Sequence, residues 1–182
     1  MIALFTGARL NEICSLYVED VVSIDDILCI NINEKTKDKH AKSPAGVRKT
    51  PLHPILIEAG FLRYVEKMKA KGEERLWPKL TFTKGNGYAG TFGNWYSKYN
   101  REYITQDKDK TFHSLRHNLT ANLKIHHVPE ELRMEIDGHK NSQQAPMQKR
   151  YGGKFPVNVM YNDGIMKLDY GLDFSGIRYP VD

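Results

Sequence analysis

Two basic residues at one predicted helix start are where chemistry first becomes legible. From Thr111 to Tyr151 the chain reads TFHSLRHNLTANLKIHHVPEELRMEIDGHKNSQQAPMQKRY. His113 and Arg116 stand three apart where an amphipathic helix begins, so both fall on one face near its N-terminus. His139 follows the turn signal Asp137-Gly138, and Tyr151 lies beyond a polar run. Helix start, guanidinium and imidazole together make an anion site. A tyrosine close to a bound phosphate is a candidate nucleophile. Far upstream, Arg9 in TGARLNEI sits in a turn leading into a helix and offers a second guanidinium.

Taken singly, each of these residues has a commoner reading. An H-x-x-R pair on a helix is usually a surface feature or a satisfied core histidine. Tyr151 is one of ten tyrosines, and most tyrosines are packing residues. HSLRH also spaces His113 and His117 as a helical zinc pair would be spaced. A zincin places glutamate beside the first histidine, however, whereas Ser114 stands here, and Arg116 between the imidazoles repels a cation.

Order lifts the set above its parts. TGARLNEI, the lysine-rich stretch ending RKTPLHP, HSLRH, GHK and a late RYG follow one another between about Thr6 and Tyr170. In that order they resemble the catalytic domain of the tyrosine recombinases, the phage integrase family. The resemblance implies an α+β, mainly α-helical domain with a small three-stranded antiparallel sheet. It implies a site-specific DNA recombinase that cleaves and rejoins DNA through a 3′-phosphotyrosyl intermediate. Its catalytic residues would be Arg9, Lys42, His113, Arg116, His139 and Tyr151, with Glu12 in a supporting role. Lys42 holds the place of the lysine that the small sheet's hairpin carries into the site, and Lys39 and Lys49 compete with it. Double-stranded DNA is the implied partner, with self-assembly into a tetramer on it. The implied setting is bacterial or phage-encoded, in the cytoplasm at the nucleoid. Cofactors: none; the covalent link conserves the phosphoester energy, so neither ATP nor a metal is called for. A type IB topoisomerase shares this chemistry, and an inactive DNA-binding remnant of an integrase shares the sequence.

Together the residues answer one problem, the in-line attack of a side-chain oxygen on a phosphodiester. The transition state gathers negative charge on the non-bridging oxygens. Two planar guanidinium forks bind those oxygens bidentately without losing their protons. His113 and His139 add hydrogen bonds. A lysine such as Lys42 protonates the leaving 5′-oxygen. Surrounding positive charge would bring the Tyr151 phenol below its ordinary value near 10.

Two features depart from the family pattern. Asp137 stands before Gly138 where an apolar residue is usual, and the gap from His139 to Tyr151 is a few residues long, which makes Tyr161 the alternative nucleophile. The chain also opens on what reads as the end of a buried helix, Met1 to Gly7. The resemblance sets a further helix and a DNA-binding domain before it, so an N-terminally incomplete catalytic domain is expected over residues 1–182, with 153–182 as a tail helix and extension.

Leu10 to Tyr17 is a short helix, and Val21–Ile24 with Ile27–Ile32 alternates about Asp25-Asp26 as a hairpin. A third strand falls near Val47 to Leu52, and Pro54 opens a helix through about Ala70. Gly85 to Gly90 fits G-x-G-x-x-G, but the short LTFT before it and the polar ITQDKDKT after the next helix do not supply a dinucleotide fold's strands, so a loop is expected. A helix spans Thr91 to Tyr103, with Trp95, Tyr96 and Tyr99 expected in the core. Thr111 caps the central helix, a short helix runs from Pro129 to Ile136, Gly152-Gly153 is hinge-like, and Phe155 to Leu168 forms a terminal helix. A chain of 182 residues with 40% hydrophobic residues builds one core, and a net charge of +5 favours a polyanionic partner. Cys14 and Cys29 are unclustered, which points to a reducing compartment. No apolar run approaches the roughly 20 residues of a membrane span.

Overall fold

Asp25 and Asp26 both take positive φ (49° and 61°), as the two central residues of a tight hairpin must. The turn closes β1 (Val21–Ile24) onto β2 (Ile27–Ile32), and β3 (Arg48–Pro51) joins β2's other edge, giving the antiparallel order β1-β2-β3. The structure, a computed structural model, describes residues 1–39, 44–139 and 154–179. Around this sheet it is mostly helical, the architecture expected from sequence. Along β3 the pleat turns Arg48 and Thr50 inward and Lys49 outward.

The helices are α1 (Ile2–Thr6), α2 (Leu10–Cys14), α3 (Pro54–Glu58), α4 (Phe61–Ala70), α5 (Ala89–Tyr99), α6 (Ser114–Ile125) and α7 (Glu130–Asp137). Phe5, Ile30, Leu56, Leu119, Ile136 and Ile165 are fully buried, so the sheet and the helices before and after it share one core. Among the described residues no helix is long and apolar enough to cross a membrane.

Several expected boundaries shift for local reasons. The helix from Pro54 divides into α3 and α4 because Gly60, at φ 93°, leaves helical geometry. α2 stops at Cys14, and Tyr17 pairs instead with Arg75 in an isolated bridge. α6 starts at Ser114, so Thr111 is not its cap and His113 occupies the flanking position. The terminal helix is broken into the short turns Val157–Val159, Met160–Gly164 and Ile165–Lys167. There Gly164 passes so close to α7 that a Cβ would lie 2.4 Å from Ile136 Cδ1. Gly152-Gly153 lies outside the described residues. The Gly85–Gly90 loop rests on α2: Asn11 Oδ1 accepts from the Tyr88 and Ala89 N–H groups at 3.0 and 3.3 Å.

One expectation about the core is overturned. Trp95 and Tyr99 are 55% and 42% exposed. They cover one another instead, with rings stacked at 5.3 Å, and Tyr103 continues the row at 5.0 Å from Tyr99. Spacing by fours aligns them on one face of α5 and its continuation, and that face is exposed.

Gly138 ends α7 at φ 69°, and a Cβ there would meet Arg48 Nη1 at 2.8 Å and the Ala45 carbonyl at 2.9 Å. Gly138→Ala is therefore expected to lower stability by roughly 1–3 kcal/mol, from left-handed strain plus the clash. A denaturant melt within a few tenths of a kcal/mol of the unsubstituted chain would show that this turn relaxes freely.

Candidate active site

Arg9 caps the start of α2, and its N–H donates to Glu12 Oε2 at 2.8 Å in the return half of a capping box. The Arg9 guanidinium donates through Nη1 to Glu12 Oε1 at 2.7 Å. Into the same carboxylate comes Arg48 from β3, with Nη2 at 3.2 Å. Arg48 also donates through Nε to the Ile136 carbonyl at 3.0 Å and through Nη1 to the Gly46 carbonyl at 2.9 Å. Burial alone would raise the Glu12 carboxyl. The Arg48 charge and the Arg9 backbone and guanidinium outweigh it, holding Glu12 below the usual carboxylate range. Glu12 thus joins the start of α2 to the sheet and, through Arg48, to the end of α7.

Arg116 does the same work for α6. It is 2% exposed, and its Nη1 donates to the Gly7 carbonyl, in the turn between α1 and α2, at 2.6 Å. Nη2 lies 3.5 Å from Asp137 Oδ1 and 3.3 Å from His139 Nδ1. Burial lowers Arg116 to about 10, against the pull of Asp137, so it stays charged at neutral pH. Much of the fork that the sequence offers to an anion is therefore engaged by the protein. Its buried Nε–H has no partner among the described residues.

Arg9, His113 and Arg116 line one cleft of about 330 Å³ between the α1–α2 turn, α5 and the start of α6. His113 is exposed there, its ring set edge-on against His117 at 4.7 Å. His113 is held below the ordinary histidine value by partial desolvation first, then by His117, Arg116, Arg9 and His139. Distant parts of the chain thus place Arg9, His113, Arg116 and His139 within one another's fields. His139 is half exposed, and its Nδ1 lies 2.8 Å from Asp137 Oδ2.

Lys42 and Tyr151 lie outside the described residues. Lys39 is buried, with Nζ 2.6 and 2.9 Å from the Asp20 carboxylate and 4.5 Å from the Tyr17 ring centroid, so its ammonium anchors the loop after β2. Lys49 is exposed on the face of β3 opposite Arg48. Tyr161 is half-buried against the core.

Sequence reasoning missed two residues. Arg48 carried a signal, since strand alternation places it on the inward face, where a charge must find partners. Asp137 was noticed only as a departure from pattern, yet it is 1% exposed and accepts from Thr120 Oγ1 at 2.9 Å as well as facing Arg116 and His139.

This cluster favours an anion with several oxygens: among the described residues, three guanidiniums and two or more imidazoles surround two carboxylates. His113 should titrate below the ordinary 6.5, and inorganic phosphate, by cancelling the repulsion around it, should raise that value in an NMR titration. The unfolded chain binds this proton more readily than the fold does, so His113 erodes stability as pH falls from about 6.5 towards its depressed value. Titration at or above 6.5 without phosphate would contradict the described environment.

A family model described as "Phage integrase family" matches residues 1–151. No curated protein matches the chain. Among solved structures, the chain is similar to the Tn1549 transposon integrase in complex with transposon right end DNA. Identity is 23%, with 84% of this chain and 57% of that chain covered, at a TM-score of 0.49. The chain thus spans little more than half of that molecule's length.

Proposed function

The chain belongs to the phage integrase family, and from that premise we propose that it is the catalytic domain of a site-specific tyrosine recombinase acting on double-stranded DNA. The observation that carries this is the convergence of Arg9, His113 and Arg116 on one cleft, with His139 in contact with Arg116.

The scissile phosphate would sit in that cleft. The Arg9 donors not held by Glu12 bind its non-bridging oxygens, and their charge, with that of Arg116 behind them, opposes the negative charge that builds in the transition state. His139 contributes a further hydrogen bond. The Tyr151 oxygen attacks phosphorus while the bond to the 5′-oxygen breaks, leaving a 3′-phosphotyrosyl link and a 5′-hydroxyl. His113, held below the ordinary histidine value by partial desolvation and then by the cations around it, takes the phenol proton, and Lys42 protonates the departing 5′-oxygen. Reversal with another strand's 5′-hydroxyl reseals the duplex.

Chain connectivity supports Tyr151 as the attacking group. Phe155 N–H donates to the Glu135 carboxylate at 3.0 Å, two residues before the end of α7 and four before His139. Tyr151 is four residues from Phe155, a reach of up to roughly 14 Å. The commitment of Lys39 to Asp20 and the outward face of Lys49 favour Lys42 as the acid. Phosphate contacts from the lysine-rich segment after β2 would supply affinity that falls steeply with salt. Assembly of several copies on DNA, and a cytoplasmic setting at the nucleoid, belong to the same reading.

The test is a nicked duplex that traps the cleaved state, built from the DNA flanking the gene. The expected result is a protein–DNA adduct that survives denaturation and is absent for Tyr151→Phe. An equal adduct yield from Tyr151→Phe would overturn the assignment.

A further inference from the structure

Asp137 is the last residue of α7, where the helix dipole disfavours an anion, and it is 1% exposed. A carboxylate is kept in such a place only if donors surround it. Two donate hydrogen bonds, the His139 backbone N–H at 3.0 Å and Thr120 Oγ1 at 2.9 Å, and two basic groups stand at ion-pair distance, His139 Nδ1 at 2.8 Å and Arg116 Nη2 at 3.5 Å. Helix stability does not ask for this acid. Its partners are the two basic groups that the proposed phosphate site shares.

The distances also decide a tautomer. His139 Nδ1 lies between Asp137 Oδ2 at 2.8 Å and Arg116 Nη2 at 3.3 Å. A guanidinium only donates and a carboxylate only accepts, so Nδ1 either gives a proton to Asp137 or takes a hydrogen bond from Arg116. Both partners are charged, and Nδ1 meets the hydrogen-bond geometry with Arg116, but the Asp137 oxygen is the nearer, so the distance favours an Nδ1 hydrogen turned towards Asp137. Nε2 is then the ring nitrogen left outside the pair, accepting when the ring is neutral and donating when it is protonated.

We infer that Asp137 is a positioning residue of the cleavage step: it fixes the tautomer and ring orientation of His139 and braces the edge of Arg116 beside it. It touches no substrate and acts only through these two side chains, much as a buried carboxylate orients a catalytic imidazole elsewhere. The role in cleavage rests on the recombinase reading, whereas the His139 tautomer does not.

The experiment has two arms on the 182-residue chain. Long-range ¹H–¹⁵N spectra of the imidazoles, recorded without DNA at a pH where His139 is neutral, should show the Nδ1–H tautomer in the unsubstituted chain. They should show a shift towards Nε2–H in Asp137→Asn, whose amide can turn a donor to the ring. On the nicked duplex, Asp137→Asn should form the adduct roughly tenfold to a hundredfold more slowly, with duplex affinity unchanged and the rate partly restored by Asp137→Glu. An Nε2–H tautomer in the unsubstituted chain overturns the proposal without any variant having to fold. So does an unchanged adduct rate in Asp137→Asn. If the unsubstituted chain shows the Nδ1–H tautomer but forms no adduct, the recombinase reading fails and the role in cleavage falls with it, while the Asp137–His139 pair stands.

Discussion

Arg9→Lys is expected to slow adduct formation by roughly 10²- to 10³-fold, the effect of losing one preorganised donor set at a developing oxyanion. The side chain is 23% exposed, and one edge of its fork is held by Glu12. Lysine keeps the charge and can still pair with Glu12, so the melting temperature should move by only a few degrees. What lysine lacks is the planar array of fixed donors that meets two phosphate oxygens at once. Affinity for the duplex, dominated by charge, should change little, placing the loss in the chemical step. An Arg9→Lys chain that cleaves at the original rate would show that charge alone suffices there.

Glu12→Ala should be the most destabilising single change in this cluster, at about 3–5 kcal/mol. Glu12 and Arg48 have side chains only 4% and 3% exposed, so removing the carboxylate strands a guanidinium inside the protein. For a chain of this length the loss corresponds to a fall in melting temperature of roughly 6–20 °C. Replacing Arg48 by methionine in the same chain should recover part of it, because the orphaned charge goes too. The pH dependence follows from the depressed Glu12 carboxyl. Its stabilisation is fully present above the unfolded carboxylate range and is lost as pH falls through the lower folded value. Glu12→Gln should therefore flatten the acid limb of the stability curve. An unchanged acid limb would mean that Glu12 titrates normally.

What was legible in the sequence was mostly local. Asp25-Asp26 between two alternating runs gave the hairpin with its observed boundaries, since turn chemistry and strand period act over a few residues. Arg9 and Arg116 were readable as guanidiniums at helix starts. That they share a cleft depends on the α1–α2 turn meeting α6, through a bond from Arg116 to Gly7 that no spacing rule announces. The break at Gly60 is hard to read because the apolar stripe continues across it. Trp95 and Tyr99 look like core residues because aromatic residues at helical spacing usually are. Exposure there depends on which elements reach α5, a tertiary matter. Asp137 is the sharpest case: in sequence it is a substitution at an apolar position, and only its surroundings show the two hydrogen bonds and two basic groups that account for it.

The central claim is that the cleft lined by Arg9, His113 and Arg116 serves the hydroxyl of Tyr151. Its most direct test is tryptic mapping of the trapped adduct by mass spectrometry. The account predicts a 3′-phosphonucleotide on the four-residue peptide from Tyr151 to Lys154. A nucleotide found on Tyr161, or on a side chain other than tyrosine, would contradict it.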